Sequence, residues 1–398
     1  MKHRLYPFIL AGAAVIALGI LGVRGLRGAR APEYSADVVA ALGGSSTEGF
    51  ARALTVRPFV FPADHAAHGE FQTEWWYNTG NLSTAEGRRF GIHFTIFRRA
   101  LSPTMPKRDS EWATNQVYFA DFALADVSAN QFYVYERFSR SAAGLAGAEP
   151  DPAQGVRIWL EDWAIRGTDS QASGFHLKAG EGDIALDLTL RPTKPPALQG
   201  DRGLSLKSSI AGSASYYYSL TRNEAQGTIT VKGETFVVSG TTWFDHEFST
   251  SVLGENAVGW DWFSIQLDHG REVMFFTIRQ KDGGVEPNSH GTLIEADGTT
   301  HELPLSAYTI TPLGTWASER TGAVYPSGWR ITIQTPTGDL LLEGTPLLLN
   351  QELNTTTAYW EGATRFTGTD GGVPVSGYGY VELTGYNRSP AQREYSRQ

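Results

Sequence analysis

The sequence predicts an all-β protein in which an N-terminal hydrophobic helix precedes two antiparallel β-barrels in tandem. Three observations support this fold class. Short apolar runs alternate with polar residues, 44 glycines punctuate them, and one strand pattern occurs twice. Aromatic residues make up 12% of the 398 residues, which is typical of antiparallel sheets. Beyond the N-terminus, no stretch carries a sustained helical period.

The N-terminus predicts export from the cytoplasm. Lys2 and Arg4 precede a continuous apolar run, Pro7 to Val23. Its length lies between a signal-peptide core of about 7–15 residues and a spanning helix of roughly 20. We expect residues 1–31 to be a signal peptide or, preferably, a membrane anchor, and to make the chain's only membrane contact. The body would then lie in the cell envelope, periplasmic and anchored in the inner membrane, or secreted. Residues 32–57 have a linker composition.

Charge and cysteine content exclude several classes of function. Residues 1–31 carry five basic residues and no acidic one, which leaves 28 basic against 42 acidic residues, or −14, for the remainder. So negative a body would repel nucleic acid, and we expect no nucleic-acid partner. The absence of cysteine excludes disulfides, thiolate metal sites and a cysteine nucleophile.

Individual strands follow from residues that alternate between apolar and polar or small. The alternation is clearest at Phe90, Ile92, Phe94 and Ile96. It recurs in residues 117–125, 156–165, 184–190, 228–231, 262–267, 273–278, 330–333 and 373–383. Pro192, Pro195 and Pro196 interrupt the pattern and indicate a loop.

An internal repeat predicts two domains of the same design. In the sequence, Trp76-Tyr77 leads to Phe94-Thr95-Ile96 as Trp262-Phe263 leads to Phe276-Thr277-Ile278, and Val238-Ser239-Gly240 recurs as Val375-Ser376-Gly377. We expect domain 1 at 58–252 and domain 2 at 253–398, with the strand that contains Asp245 ending the first barrel.

Two segments place carboxylates and histidines among large aromatic side chains. The first is Glu74-Trp75-Trp76-Tyr77; the second is Trp243-Phe244-Asp245-His246-Glu247-Phe248, followed by Trp260-Asp261-Trp262. Apolar walls disfavour the charged carboxylate and raise its pKa, so that it can serve as a general acid. Aromatic faces stabilise a cation that develops beside them.

These segments resemble those of a known family. The Glu-Trp-Trp-Tyr-x-x-Gly-x-Leu and Trp-x-Asp-His-Glu segments, with a C-terminal run from Tyr359-Trp360-Glu361 to Tyr386, are similar to the carotenoid 1,2-hydratases. They look closer still to the secreted AttH-like "predicted secreted hydrolases". The resemblance covers about residues 58–390. It implies two tandem lipocalin-like barrels, isoprenoid hydration in the named members and, in some secreted members, association with an ABC exporter. The carotenoid enzymes have a tryptophan where this chain has Phe248.

Strand parity assigns the residues of the second segment to opposite faces. If residues 243–248 are extended, Trp243, Asp245 and Glu247 share one face, and His246 lies on the other. The face with His246 should point into a barrel, and the acidic face toward solvent or the partner domain. Asp245 and His246 therefore cannot line one cavity unless a bulge intervenes.

The predicted function is binding of an apolar, isoprenoid- or lipid-like molecule, with hydration of a C=C bond as the reaction. Asp245 or Asp261 would donate the proton, His246 would position the water, and Glu74 would be the reserve acid; no cofactor is needed. Seven residues would supply an aromatic cleft inside the first barrel or between the two: Trp75, Trp76, Tyr77, Trp243, Trp260, Trp262 and Trp360.

Four alternatives stay open. A lipid carrier for an ABC exporter permease needs the same cavity and no chemistry. A structural interpretation makes His246 a satisfied core histidine and Glu74 the buried partner of an arginine such as Arg98. A hydrolase is disfavoured because no Gly-x-Ser-x-Gly segment occurs. A metal site lacks a His-Glu-x-x-His helix, although candidate ligands exist: His65, His68, His93, His246 and Glu70.

Overall fold

The computed structural model describes residues 46–251, 253–254, 256–335 and 337–387, and most of its regular structure is β-strand. The described helices are two 3₁₀ turns, Ala63–His65 and Leu305–Ala307. The predicted all-β class is therefore confirmed. The N-terminal segment 1–31 and residues 32–45 of the predicted linker lie outside the described residues. Within the described part of the chain, no helix has the length and hydropathy needed to cross a membrane.

Thirteen strands of the described residues form the first sheet. In chain order they are β1 (Thr73–Ser83), β2 (Arg89–Ala100), β3 (Gln116–Asp126), β4 (Gln131–Arg140), β5 (Ala146–Asp151), β6 (Gly155–Leu160), β7 (Trp163–Gly167), β8 (Phe175–Glu181), β9 (Ile184–Pro192), β10 (Ala197–Leu198), β11 (Leu204–Leu206), β12 (Ala214–Val231) and β13 (Glu234–Ser251). The order across the sheet is β4-β3-β2-β1-β13-β12-β9-β8-β7-β6-β5, and β10 and β11 also pair with β12. This antiparallel sheet forms a nearly closed barrel.

The second sheet follows in the chain. Its strands and those of a small hairpin are β14 (Ala257–Leu267), β15 (Glu272–Gln280), β16 (His290–Ile294), β17 (Thr300–Pro304), β18 (Tyr308–Pro312), β19 (Thr315–Ala317), β20 (Val324–Pro326), β21 (Trp329–Ile333), β22 (Leu340–Pro346), β23 (Glu352–Asn354), β24 (Ala358–Asp370) and β25 (Val373–Leu383). The order is β17-β16-β15-β14-β25-β24-β22-β21-β18; β23 pairs with β24, and β19 pairs with β20.

The two sheets share one plan, as the sequence repeat predicts. In each sheet the first four strands form a meander, and the first strand pairs with the last. The glycine of the repeated Val-Ser-Gly segment faces a leucine of the first strand in both, since Leu82 pairs with Gly240 and Leu267 with Gly377. The strands of the two sheets fall within 58–252 and 253–398, although these domain boundaries themselves stay a prediction.

One predicted strand is in fact two. Residues 156–165 form β6 and β7, joined by a turn in which Glu161 has a φ of 58°. Leu160 pairs directly with Trp163 across this turn, and both side chains are buried. The apolar pattern of the sequence therefore continues through the turn and gives no sign that one strand ends and another begins. The loop expected at the prolines begins where β9 ends, at Pro192.

Each sheet encloses its own apolar core, and a third cluster lies between the sheets. The first core includes Trp76, Phe94 and Trp163, and the second includes Trp329 and Trp360. The third cluster combines residues of both sheets, among them Tyr77, Tyr217, Trp243, Trp262, Phe276 and Tyr380. Burying one such side chain contributes about 1.5–3 kcal/mol, so this cluster also holds the sheets together.

The outer faces of the two sheets touch directly at β1–β2 and β24–β25. The Asn81 side-chain amide donates a hydrogen bond to the Gly379 carbonyl oxygen at 3.1 Å. Gly91 leaves room for the second sheet, because a Cβ atom on it would lie 2.6 Å from Ala363 Cβ. Beside this contact the faces diverge and leave a cleft.

Candidate functional site

A cleft with an empty volume of about 970 Å³, part of it open to solvent, lies between the two sheets. Aromatic and aliphatic side chains dominate its wall and a few polar groups converge on it, as in small-molecule sites. Both sheets contribute lining residues: Trp75, Tyr77, Phe97, Phe119, Asp121, Lys207, Tyr217, Asp245, Glu247, Leu253, Trp260, Trp262, Phe276, Ile278, Thr357, Tyr359 and Glu382.

Asp245 is buried in the cleft wall, on β13. Its carboxyl accepts hydrogen bonds from the Tyr217 hydroxyl and from Trp243 Nε1, both at 2.6 Å, and from the Ser219 hydroxyl. Burial raises the pKa of Asp245 to about 7, although these three donors act to lower it. Near neutral pH a substantial fraction of this carboxyl therefore carries a proton.

Two further cleft carboxyls are also held by neutral donors. Asp121 accepts a hydrogen bond from the Tyr359 hydroxyl at 3.0 Å, and Glu382 accepts one from Trp260 Nε1 at 2.8 Å. Burial, as the largest cause, raises the pKa of each to about 8. Asp121 Oδ1 is buried and has no hydrogen-bond partner among the described residues, so it can donate a hydrogen bond to a ligand or water when protonated and accept one when ionised.

Glu247 differs from these three because a cation accompanies it. Lys207 Nζ lies 2.9 Å from Glu247 Oε1, and the Ser215 hydroxyl donates to the same oxygen. The ammonium also lies 4.2 Å from the Phe276 ring centroid. Since Lys207 is engaged by Glu247, it does not neutralise the other carboxyls of the cleft.

His246 lies on the opposite face of β13, inside the first barrel. The β1–β13 register runs without interruption, with Asp245 opposite Tyr77 and His246 opposite Trp76. His246 Nε2 is 2.9 Å from Glu74 Oε1, and its Nδ1 is 3.1 Å from the Tyr218 hydroxyl. The faces predicted from strand parity agree with the structure, and His246 does not reach the cleft.

Glu74 is an ion-paired residue of the first barrel. Arg98 Nε donates to Glu74 Oε2 at 2.8 Å, and the His68 backbone amide donates to the same oxygen at 2.9 Å. Burial acts to raise the pKa of Glu74, but Arg98 and the histidines hold it well below its usual range. As a carboxylate, Glu74 has no proton to donate, which matches the structural interpretation and disfavours a reserve acid.

The family follows from comparison with known proteins. The AttH-like family model matches residues 52–386. The chain belongs to the AttH-like family. The resemblance noted in the sequence is thereby confirmed.

Solved structures extend this likeness to the fold. A crystal structure of a putative AttH from Nitrosomonas europaea is 34% identical, covers 85% of this chain and 100% of that chain, and superposes with a TM-score of 0.75. Kievitone hydratase from Nectria haematococca is 17% identical, with coverages of 85% and 96% and a TM-score of 0.62. CghA in complex with Sch210972 is 11% identical, with coverages of 86% and 98% and a TM-score of 0.50. No curated protein matches this AttH-like protein in sequence.

Asp261, a candidate proton donor, does not line the cleft. It alternates along β14 with Trp260 and Trp262, whose side chains do line it. Asp261 instead accepts hydrogen bonds from Arg279 Nε and the Tyr386 hydroxyl, both at 3.0 Å. Of the two predicted proton donors, Asp261 therefore lies apart from the cleft, because strand alternation turns it toward the second barrel.

Four of the seven predicted aromatic residues line the cleft: Trp75, Tyr77, Trp260 and Trp262. Trp243 lies behind the wall and donates to Asp245. Trp76 and Trp360 are instead packed in the cores of the two barrels. The strand neighbours of Trp76 and Trp360 point toward the cleft. Because side chains alternate along a strand, Trp76 and Trp360 themselves point into the barrels.

The sequence reasoning missed several cleft residues: Asp121, Lys207, Tyr217, Tyr359 and Glu382. Asp121 had a visible signal, since it interrupts the apolar residues of β3. Tyr217-Tyr218 and Tyr359-Trp360 precede the two Val-Ser-Gly segments of the repeat at matching positions, and Glu382 lies in the C-terminal segment that resembles the family. Only the packing of the two sheets brings these residues together.

Of the five candidate metal ligands, His68 and His246 lie together beside Glu74, and the other three do not join them among the described residues. Among the described residues, His68, Glu74 and His246 place ligand atoms within 4.8 Å of one another. The Arg98 guanidinium on Glu74 opposes a second cation there, and hydrogen bonds already satisfy this cluster. His93 lies apart from it, with Nδ1 3.6 Å from Glu361 Oε1.

Proposed function

We propose that this AttH-like protein binds an apolar, unsaturated small molecule in the cleft and adds water across a C=C bond, with Asp245 as the proton donor. The observation that carries the proposal is a buried, cation-free carboxyl in an aromatic wall, with a pKa raised to about 7. A carboxyl in such a setting remains a proton donor at neutral pH, as general acid catalysis requires.

The reaction balances with one carboxyl and one water. Asp245 gives its proton to one alkene carbon, and a carbocation forms at the other. Water attacks the cation, and the Asp245 carboxylate takes the proton that this water releases. The rings of Trp75, Tyr77 and Trp262 line the cleft and can stabilise the cation. These steps use no nucleotide or metal. His246 takes no part in them, because it lies in the core of the first barrel.

The aromatic lining of the cleft supports an isoprenoid- or lipid-like ligand. The fold shared with kievitone hydratase, a protein named for hydration, supports this reaction class over hydrolysis. We place the protein in the cell envelope, anchored by residues 1–31 or secreted, because of its apolar N-terminal run.

A lipid carrier that serves an ABC exporter permease is the second candidate. It is favoured by the same apolar cleft and by the resemblance to secreted members associated with such exporters. In this function the cleft would shield the ligand from water, and Asp245 would donate a hydrogen bond without transferring its proton.

Exchange of Asp245 for asparagine separates the two candidates. Asparagine keeps the size of a neutral carboxyl, so we expect Asp245→Asn to retain ligand affinity and to lose about 10²–10⁴-fold in turnover. Turnover of terpenoids and ψ-ended carotenoids is followed in D₂O, where each hydration leaves one carbon-bound, non-exchangeable deuterium in the product. Asp261→Asn is the matched control outside the cleft. A wild-type protein that binds the panel but incorporates no deuterium would establish the carrier instead.

A further inference from the structure

Four large apolar side chains are exposed together at one end of the first sheet. Leu101, Met105, Trp112 and Phe138, which we name the apolar rim, are exposed to 63%, 57%, 56% and 56%. The first three belong to the β2–β3 connection, and Phe138 lies near the end of β4. Backbone hydrogen bonds from Leu101 to Asn115 and from Ala143 to Glu111 hold this connection against the strand ends. Exposed apolar clusters of this kind mark interaction surfaces.

The apolar rim is continuous with the cleft. Phe138 stacks on Phe119 with ring centroids 5.7 Å apart, and Phe119 stacks on Phe97 at 4.4 Å. Phe97 and Phe119 both line the cleft. A ladder of three aromatic rings therefore runs from the cleft wall to an exposed surface.

The chain from the N-terminal apolar run enters the body beside the same surface. The Gln72 side chain donates to the Ser46 carbonyl oxygen at 3.1 Å, and Gly49 packs against Pro103 of the β2–β3 connection. Pro7 to Val23 is the apolar run, and residues 24–45 can extend by at most about 75 Å. A membrane that holds this run would keep Ser46, the point at which the chain meets the body, within that distance.

The composition of the connection suits a lipid surface. Exposed Lys107 and Arg108 lie between Met105 and Trp112 together with exposed Asp109 and Glu111, so the connection carries no net charge although the body as a whole is negative. Tryptophan with aliphatic residues and nearby basic residues is typical of segments at the membrane–water interface.

We propose that the apolar rim docks on the surface of a phospholipid bilayer and that apolar ligands pass from the bilayer along the Phe138–Phe119–Phe97 ladder into the cleft. Docking extends the membrane contact beyond the N-terminal segment. It serves a hydratase and a carrier equally, so it does not depend on the proposed reaction.

Trp112 provides a direct test of docking. Residues 1–45 contain no tryptophan, so tryptophan fluorescence does not report on the N-terminal segment. The full-length chain is mixed with vesicles of phosphatidylethanolamine and phosphatidylglycerol that carry brominated acyl chains. We expect quenching of the wild type and loss of most of the quenched component in Trp112→Phe. Equal quenching of the two proteins, or none in either, would overturn the proposal.

A second pair of variants tests the surface without changing Trp112. Leu101→Ser/Met105→Ser should reduce the quenching several-fold. The control Val237→Ser/Val373→Ser removes two valines that are exposed to 77% and 65%, in the β12–β13 and β24–β25 hairpins, and should leave it unchanged. Equal loss in both pairs would contradict the assignment. A dimer that the Leu101→Ser/Met105→Ser variant abolishes, without lipid quenching of the wild type, would show that a second copy covers the surface. No ligand is present, so the outcome is separate from the test of Asp245.

Discussion

Replacing Arg98 with methionine removes the guanidinium that is ion-paired with Glu74 inside the first barrel. Arg98 is 1% exposed. Its guanidinium donates to Glu74 at 2.8 Å, to Gln116 at 2.7 Å, and to the carbonyl oxygens of His68 and Phe71 at 2.9 and 2.8 Å. Arg98→Met therefore takes the guanidinium from a buried carboxylate, which keeps only its contacts with His68 and His246, and leaves the Phe71 carbonyl oxygen without this donor, while the His68 carbonyl oxygen keeps the Phe71 amide.

The lost contacts determine how far the free energy of unfolding should fall. Removing one partner of a buried ion pair costs about 3–5 kcal/mol, and each orphaned buried acceptor costs about 1–3 kcal/mol before water fills the gap. We expect Arg98→Met to lower the free energy of unfolding by at least about 4 kcal/mol. This is a large part of the roughly 5–15 kcal/mol that stabilises a typical protein.

Urea unfolding followed by tryptophan fluorescence measures this loss, and a double-mutant cycle with Glu74→Gln isolates the pair. The coupling energy should be about 2–3 kcal/mol at neutral pH. Because the folded pKa of Glu74 is depressed, the stability from its charge is present above its usual value of 4.5. That contribution, and with it the coupling, should shrink as the pH falls below 4.5.

A loss below about 1 kcal/mol in Arg98→Met would refute this account of the network, given the cost of breaking a buried pair. A Glu74→Gln protein of unchanged stability that had lost turnover would instead restore Glu74 as a catalytic residue.

Three further predictions concern the cleft and the contact between the sheets. Asp121→Asn should be more stable than wild type by a few kcal/mol above pH 8 and equally stable below pH 3.8. Between these two pH values the folded wild type keeps the Asp121 proton and the unfolded chain has released it, which destabilises the wild-type fold. Equal urea midpoints at alkaline pH would contradict this. Gly91→Ala should cost about 1–3 kcal/mol because its Cβ meets Ala363, and Ala363→Gly in the same chain should recover most of that loss, which thermal unfolding can verify. A trimethylammonium ligand should bind at least about tenfold more tightly than its neutral tert-butyl isostere. Aromatic faces favour the cation, and so does the ionised fraction of the Asp245, Asp121 and Glu382 carboxyls. Equal dissociation constants from fluorescence titration would argue against cation stabilisation.

The fold class and the faces of the strands could be read from the sequence because both depend on local alternation. The period of two residues separates Asp245 from His246 whatever the rest of the chain does. The duplicated segments likewise predicted a repeated topology, since equivalent strands with equivalent glycines pair in the same way. The Glu74–Arg98 pair was foreseen as one alternative, and the β1–β2 register places the two residues directly opposite each other.

The composition of the cleft could not be predicted, because it depends on how the outer faces of the two sheets meet. Trp262 and Trp360 both occur in aromatic strand segments, yet one faces the partner sheet and the other a barrel core. Asp121 and Tyr359 are far apart in the chain, and neither belongs to a local motif that could indicate their hydrogen bond.

Because the cleft lies between the barrels, the residues that stabilise each core differ from those that would determine the shape of a bound ligand. In a barrel that holds its ligand internally, a change in ligand shape requires a change in the core and risks the stability of the fold. Here each barrel core stays filled by its own side chains, and the surface proposed to bind the ligand is formed by residues that point outward. Substitutions at Trp75, Trp260 or Phe276 can therefore alter the shape of the cleft while both cores remain intact, which leaves this architecture free to acquire new ligands during evolution.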